Sequence, residues 1–415
     1  MKRAVITGLG AITPIGKTVG EYWESLSNGV SGAEMITLFN AEKFKTKFAC
    51  EVKNFNPTDY LDRKEARKLD RYAQFAMVAA EEAMNDSKLD LEKIDHDRAG
   101  VIWGSGIGGI QTFLEEIRGY VQGDGTPRFS PFFIPKMISD IAGGHISIRY
   151  NFRGPNFTTV SACASSTNAI IDALTYIRLG KADIFMVGGS EAAINEAGMA
   201  GFNAMQAIST RNDEPATASR PFDATRDGFV MGEGGGALVV EEYEHAIKRG
   251  ATIYAELIGG GMSADAHHLT APHPDGLGAS MVMKNTLQDA GLKPIDIDYI
   301  NVHGTATPLG DISETKAIKE VFGEDAFKLN ISSTKSMTGH LLGAAGAIEA
   351  IASILAIKHG LVPPTINFTT PDEKIDQNLN LTLNKAQERD VKYALSNTFG
   401  FGGHNTSVIF KKFEQ

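Results

Sequence analysis

Four stretches of this chain place reactive side chains where a strand gives way to a loop. In the first, Cys163 follows the extended, β-branched Thr159-Val160-Ser161-Ala162 and precedes an apolar helical pattern from Ala164 to about Leu179. A thiol at a helix N-terminus meets free backbone N–H groups and the positive end of the dipole, and both favour thiolate. That environment makes a nucleophile; a buried cysteine without chemistry is the other reading. In the second, His303 ends the strand-like Tyr299-Ile300-Asn301-Val302 and opens Gly304-Thr305-Ala306-Thr307-Pro308-Leu309-Gly310-Asp311. Side chains at the carboxyl ends of strands line active sites in α/β folds, although a histidine can also simply be hydrogen-bonded in a turn. In the third, Lys335 and His340 share the segment Ser332 to His340, and Glu349 lies in the strongly apolar helix that follows. A carboxylate there needs a partner. Lys335 is the candidate, as a structural ion pair or as part of a catalytic group. In the fourth, Leu395 to Asn405 alternates strand, aromatic and glycine, so its backbone can approach a ligand and supply N–H groups to an oxyanion.

Cysteine, two histidines and an oxyanion-type loop at such junctions point to acyl transfer through a thioester. A papain-like hydrolase needs only one histidine and leaves the Lys335 segment unexplained. A zinc site is disfavoured, because no two of Cys163, His303 and His340 have close ligand spacing.

The elements that must position these residues read as an alternation of strands and helices. Arg3–Thr7, Ala99–Trp103, Ile184–Val187, Ala237–Glu241, Tyr254–Ile258 and Leu329–Ser333 read as strands. Gly8 to Gly16 reads as a loop, and Phe129 to Pro135 as an aromatic loop. Val19–Leu26, Ile138–Arg149, Leu277–Ala290 and Leu341–Lys358 read as helices. Arg63 to Asn85 reads as one amphipathic helix, with Leu69, Tyr72, Phe75, Ala76, Ala79 and Ala83 on its apolar face. Gly104-Ser105-Gly106-Ile107-Gly108-Gly109 fits G-x-G-x-x-G, but no acidic residue stands at a strand end about 20 residues on, as dinucleotide binding requires. Two internal echoes suggest paired βαβ-like halves. G-x-x-T-P-x-G occurs at Gly10 and again at Gly304. More loosely, the Cys163 strand, loop and helix resemble the strand, loop and helix around Lys335.

Composition sets the outer bounds. The 415 residues are 42% hydrophobic and 22% charged, an ordinary globular profile. A net charge of −10 gives no support for nucleic-acid binding. Two cysteines, Cys50 and Cys163, make no disulfide framework. The start of the chain shows no cleavable signal pattern, and Gly343 to Ile357 contains Glu349 and is too short to span a bilayer. The expectation is a cytoplasmic protein with a compact body.

Taken together, the Cys163 segment, H-G-T-x-T-P-x-G-D at His303, S-T-K-S-M-T-G-H around Lys335 and G-F-G-G around Phe401 strongly resemble the β-ketoacyl-acyl carrier protein synthases, particularly the type II elongating enzymes. The likeness runs from Arg3 to Phe413. It implies a thiolase-like five-layered α-β-α-β-α fold with two pseudo-repeated halves, 1–250 and 251–415, assembled as a homodimer. The implied reaction is decarboxylative Claisen condensation of an acyl group on Cys163 with malonyl-acyl carrier protein, in fatty-acid elongation, without cofactor or metal. By this resemblance His303 and His340 support decarboxylation, Lys335 and Glu349 form a supporting ion pair, and the Cys163 and Phe401 N–H groups hold the oxyanion. Phe401 would also gate the acyl pocket. Ile107 and Phe202 would wall that pocket, while Thr305, Thr307, Thr270 and Phe399 would contact the rest of the substrate. Lys64, Arg67, Lys68 and Arg128 would dock the acidic carrier protein, and no nucleic-acid or membrane partner is implied. The chain departs from the pattern at Gln206, where arginine is frequent, and at Phe129, where a second basic residue is common. A ketosynthase of a polyketide or aryl-polyene pathway is the alternative. An inactive partner subunit would lack the nucleophile, and a thiolase would carry a late second cysteine, whereas none follows Cys163. The sequence leaves open a monovalent cation near Asn301 or Asn397.

Overall fold

The computed structural model describes residues 1–414. Ten strands form one continuous sheet: β1 (Ala4–Ile12), β2 (Ala99–Gly104), β3 (Asn156–Thr159), β4 (Ile184–Glu191), β5 (Gly234–Glu242), β6 (Ala255–Ala264), β7 (Tyr299–Asn301), β8 (Asn330–Ser332), β9 (Tyr393–Gly400) and β10 (His404–Lys412). The order is β8-β7-β9-β10-β6-β1-β5-β4-β2-β3. Read outward from the β6/β1 seam, each half runs first, fifth, fourth, second, third strand, with the same parallel and antiparallel pairings. The seam is narrow and pairs Ala4, Val5 and Ile6 with Leu257, Glu256 and Ala255.

Helices complete the layers. Helix α1 (Arg71–Ser87) covers one face of the first half, and α3 (Leu277–Ala290) with α4 (Gly310–Phe322) covers the far face of the second. Between the halves lie α2 (Ser165–Arg178) and α5 (Ala345–His359), each touching strands of both. This is the five-layered α-β-α-β-α arrangement. Helix α5 is buried on every side from Ala345 to Ile357, which an all-round apolar helix must be. The segment Leu342–His359 is apolar enough to cross a membrane, with hydropathy 1.3, but 89% of it is buried inside this fold.

The looser echo is a true repeat: β3 with α2, and β8 with α5, occupy equivalent positions in the two halves. The G-x-x-T-P-x-G echo is not. Gly10 lies within β1, the first strand of its half, whereas Gly304 follows β7, the second strand of the other half. Gly8 to Ile12, read as loop, continues β1, because glycine there lets α1 press onto the strand. A Cβ on Gly10 would sit 2.0 Å from the Ala79 carbonyl oxygen. The basic helix also differs from expectation. It breaks into Arg63–Ala66 and α1, because the Asp70 side chain accepts from Tyr72 N and also from Thr112 N and Oγ1. Phe133–Met137 forms a short helix that begins inside the stretch read as an aromatic loop and runs two residues past it.

Replacing Gly10 by Val should lower unfolding free energy by about 2 kcal/mol or more, since the helix backbone cannot yield to a side chain. Urea unfolding showing no loss would contradict this account of the β1–α1 contact.

Candidate active site

Helices α2 and α5 meet with their N-termini together. A Cβ on Gly346 would lie 1.9 Å from Thr167 Oγ1, and Ala347 N donates to Ser166 Oγ at 2.9 Å. That contact brings the loops leading into both helices to one point. Cys163 stands just before α2, after Ala162 in the left-handed region at φ +52°. Such backbone is strained for a residue with a side chain. Ser165 Oγ holds it by donating to the Ala162 carbonyl at 2.7 Å. His340 is pinned through its backbone: its N–H donates to Val230 O at 2.7 Å, and its carbonyl accepts from Gly232 N at 2.9 Å. His303 N and Gly304 N donate to the two oxygens of Glu314 at 2.9 and 2.8 Å.

The reactive atoms converge. His340 Nε2 lies 3.0 Å from Cys163 Sγ. The His303 and His340 rings are 5.2 Å apart, nearly perpendicular, and Phe399 packs 5.6 Å from His303. The backbone N–H groups of Phe401 and of Cys163 itself lie close enough to the sulfur to favour negative charge there. Gly400 allows this approach, since a Cβ there would meet Ser161 O at 2.6 Å. Lys335 and Glu349 form an ion pair behind the imidazoles, 1% and 0% exposed. Breaking such a pair on one side costs about 3–5 kcal/mol, because a bare charge stays buried.

Burial decides the protonation states. It pushes both imidazoles well below their usual pKa, and the Lys335 cation adds to the effect, so the rings are neutral. Both Nδ1 atoms are buried without a partner. A proton on Nε2 leaves a lone pair unpaired rather than an N–H, the cheaper defect. Each ring therefore presents an N–H to the space beside the sulfur. The thiol departs from the sequence expectation. Burial pushes Cys163 up to about 12, against the lowering by Lys335 and the Phe401 N–H, so the resting group is a thiol. Desolvation outweighs the helix terminus. Burial also raises Glu349 and Glu314 to about 7 and Asp311 to about 6.

A cavity of about 410 Å³ opens onto these groups and is lined by Cys163, His303, His340, Phe401 and Phe399 at its base. Phe202, Thr305, Thr307 and Thr270 line it too, with Thr270 exposed at the mouth. Ile107 packs with Cys163 and Phe202 in one apolar cluster without lining the cavity. Lys64, Arg67, Lys68 and Arg128 are all exposed and lie outside the cavity; Lys68 Nζ sits 5.9 Å over the Phe132 ring. Gln206 lines the mouth. Sequence reasoning missed Glu314 and Arg226. Glu314 sits on the buried face of α4, a helical periodicity that could have marked it. Arg226 is buried among the Thr307 and Pro308 carbonyls, Asp311 and Asp372.

Among the described residues no group of three or more His, Cys, Asp or Glu could hold a metal. Asn301 Oδ1, Asn397 Oδ1, Ser396 Oγ and Glu349 Oε2 are buried oxygens without partners, and β-sheet register sets Asn301 beside Ser396. Oxygen donors of this kind suit a small hard cation.

A thiol flanked by two neutral N–H donors and two backbone N–H groups, in a mostly apolar cavity, can pass an acyl group and stabilise the oxyanions that form. Comparison with known proteins agrees. Residues 1–246 match the family described as Beta-ketoacyl synthase, N-terminal domain, and residues 254–369 its C-terminal domain. The 3-oxoacyl-[acyl-carrier-protein] synthase 2 of Staphylococcus aureus (strain COL) is 52% identical over 413 residues, covering 100% of this chain and 99% of the relative. That of Synechocystis sp. (strain ATCC 27184 / PCC 6803 / Kazusa) is 49% identical with the same coverage. Among solved structures, a Beta-ketoacyl synthase from Burkholderia phymatum STM815 has TM-score 0.91 at 36% identity, and the ishigamide ketosynthase/chain length factor 0.93 at 34%, each covering 100% of both chains. The chain belongs to the β-ketoacyl synthase family, the condensing acyltransferases that join carrier-bound acyl groups by Claisen condensation.

Proposed function

We propose that Cys163 takes an acyl group from an acyl carrier protein thioester and that His303 and His340 direct its condensation with malonyl-acyl carrier protein in fatty-acid elongation. The observation that carries this is the approach of His340 Nε2 to within 3.0 Å of Cys163 Sγ, beside a second neutral imidazole. In the first half-reaction sulfur attacks the thioester, the carrier leaves as a thiol, and the proton lost by Cys163 ends on that thiol. In the second, the malonyl thioester oxygen accepts from the two Nε2–H groups. Carbon dioxide leaves and negative charge develops on that oxygen. Neutral donors favour this transition state without needing a base. The resulting carbon nucleophile attacks the acyl-Cys163 carbonyl, whose oxygen accepts from the Cys163 and Phe401 N–H groups. Collapse releases β-ketoacyl-acyl carrier protein and expels the Cys163 thiolate, which takes a proton from solvent and so restores the thiol.

On this reading residues 1–250 bring the nucleophile and residues 251–415 the histidines. Lys335, paired with Glu349, keeps both rings neutral. Thr305 and Thr307 hold the pantetheine arm, Thr270 sits at its entrance, and Phe399 backs His303. Phe202 and Ile107 wall the acyl pocket, with Phe401, 6.4 Å from Phe202, as its gate. The carrier docks on Lys64, Arg67 and Lys68, with Arg128 on a neighbouring exposed segment. A type II polyketide ketosynthase, 34% identical with TM-score 0.91, is described in complex with its acyl-carrier protein. The free edge of β3 and the exposed Val160, Ile134 and Ile148 fit a second copy of the chain. Two unpaired cysteines fit a cytoplasmic setting. A ketosynthase of a polyketide or aryl-polyene pathway is the second reading, favoured by the type II polyketide ketosynthase among the structural neighbours.

Intact-mass measurement after mixing with a medium-chain acyl-carrier thioester should show one added acyl group, absent in Cys163→Ala. Addition of malonyl-acyl carrier protein should discharge it as a product two carbons longer. An adduct that survives in Cys163→Ala, or none on folded protein, would sink this reading. Reversing Lys64 and Lys68 to Glu should raise KM for the carrier by about ten-fold at low salt, with kcat little changed and the effect fading as salt screens it. Equal KM at low salt would remove this surface as the docking site.

A further inference from the structure

The glycine-rich turn after β2 is a nest of backbone N–H groups, the kind of concavity that takes a phosphate in nucleotide folds. Here it already holds an anion from its own chain. Gly106 N donates to Glu191 Oε2 at 2.8 Å and Ile107 N to Oε1 at 3.1 Å, while Ser105 Oγ donates to Oε1 at 3.2 Å. Glu191 ends β4 and is completely buried. Its Oε2 also accepts from Gly343 N at 3.0 Å, in the turn leading to α5. One carboxylate thus ties the two turns together. Their approach is close: a Cβ on Gly343 would sit 2.3 Å from Gly106 N.

The residues beside these anchor points belong to the apolar cluster that contains the reactive cysteine. Ile107 and Leu342 pack with Cys163, Phe202 and Phe229 in one apolar cluster. Leu342 holds φ +48°, a strained conformation for leucine that must be fixed from outside. The bond from the next residue to Glu191 fixes it. Glu191 itself does not line the cavity, and the roles given to Cys163 and the histidines make no use of it.

We propose that Glu191 is a positioning residue that sets which acyl-chain lengths Cys163 accepts, by locking Ile107 and Leu342 at a fixed separation. A carboxylate suits the task because it only accepts, and every group converging on it donates. A glutamine of the same size would turn an N–H toward at least one of these donors and loosen the joint. This inference rests on the reading of Cys163 as the acyl acceptor.

Self-acylation with hexanoyl and tetradecanoyl carrier-protein thioesters tests it in the wild type, Glu191→Gln and the milder Ser105→Ala, which removes one donor. The quantity read is the ratio of the two rates, which is independent of the fraction of protein folded. Loosening the joint should move that ratio toward tetradecanoyl by about five-fold in E191Q and about two-fold in S105A, changes within the range that pocket fit alone supplies. Equal loss at both lengths, or an unchanged ratio, would overturn the proposal. Wild-type acylation at Cys163 in the same run checks the underlying site reading separately.

Discussion

The contact between the N-termini of α2 and α5, with Gly346 set against Thr167, is the constraint on which the site depends. Each helix is the crossover of one half of the fold, so their meeting point is where the two halves share a layer. The loops that enter the helices carry Cys163 and His340, and β7 delivers His303 beside them. No single half contains a complete set of reactive groups. A shift of either helix along the other would separate Sγ from Nε2 while leaving both sheets intact.

The same packing buries the reactive groups, and most of the chemistry follows from that. Burial makes charge expensive, so the thiol keeps its proton and both imidazoles stay neutral. Lys335 is buried in contact with Glu349. The result is a site with fixed N–H donors around a neutral sulfur. Such donors act where negative charge develops on oxygen and do not need to reorganise when it does. A site built instead on a resting thiolate and an imidazolium would invest its electrostatics in the ground state.

Much of this was legible in the sequence. Cys163, His303, Lys335, His340 and the glycine-aromatic loop each stood out as a residue type unusual for its local pattern. Glu349 stood out as a carboxylate that needed a partner, and the structure supplies Lys335. The repeat around Cys163 and Lys335 could be read because its strand, loop and helix keep one order. The G-x-x-T-P-x-G echo misled, since short turn motifs recur wherever a strand meets a tight turn. Gly8 to Ile12 looked like a loop because the reason for its glycines lies in a helix about 70 residues away in sequence. Periodicity could mark Glu314 as buried, but its grip on the His303 backbone, like that of Glu191 on the glycine-rich turn, is invisible because one partner is a backbone amide with no sequence signature. The thiolate expectation failed because a helix terminus can be read from sequence and desolvation cannot.

The central claim is that burial, reinforced by Lys335, holds His303 and His340 as neutral rings with the proton on Nε2. Nitrogen NMR of histidine-labelled protein, with His303→Gln and His340→Gln for assignment, reads tautomer and charge directly. At about pH 6, below the ordinary imidazole pKa of about 6.5, both rings should still show the neutral, Nε2-protonated signature. An imidazolium at either position, or a proton resident on Nδ1, would contradict the account.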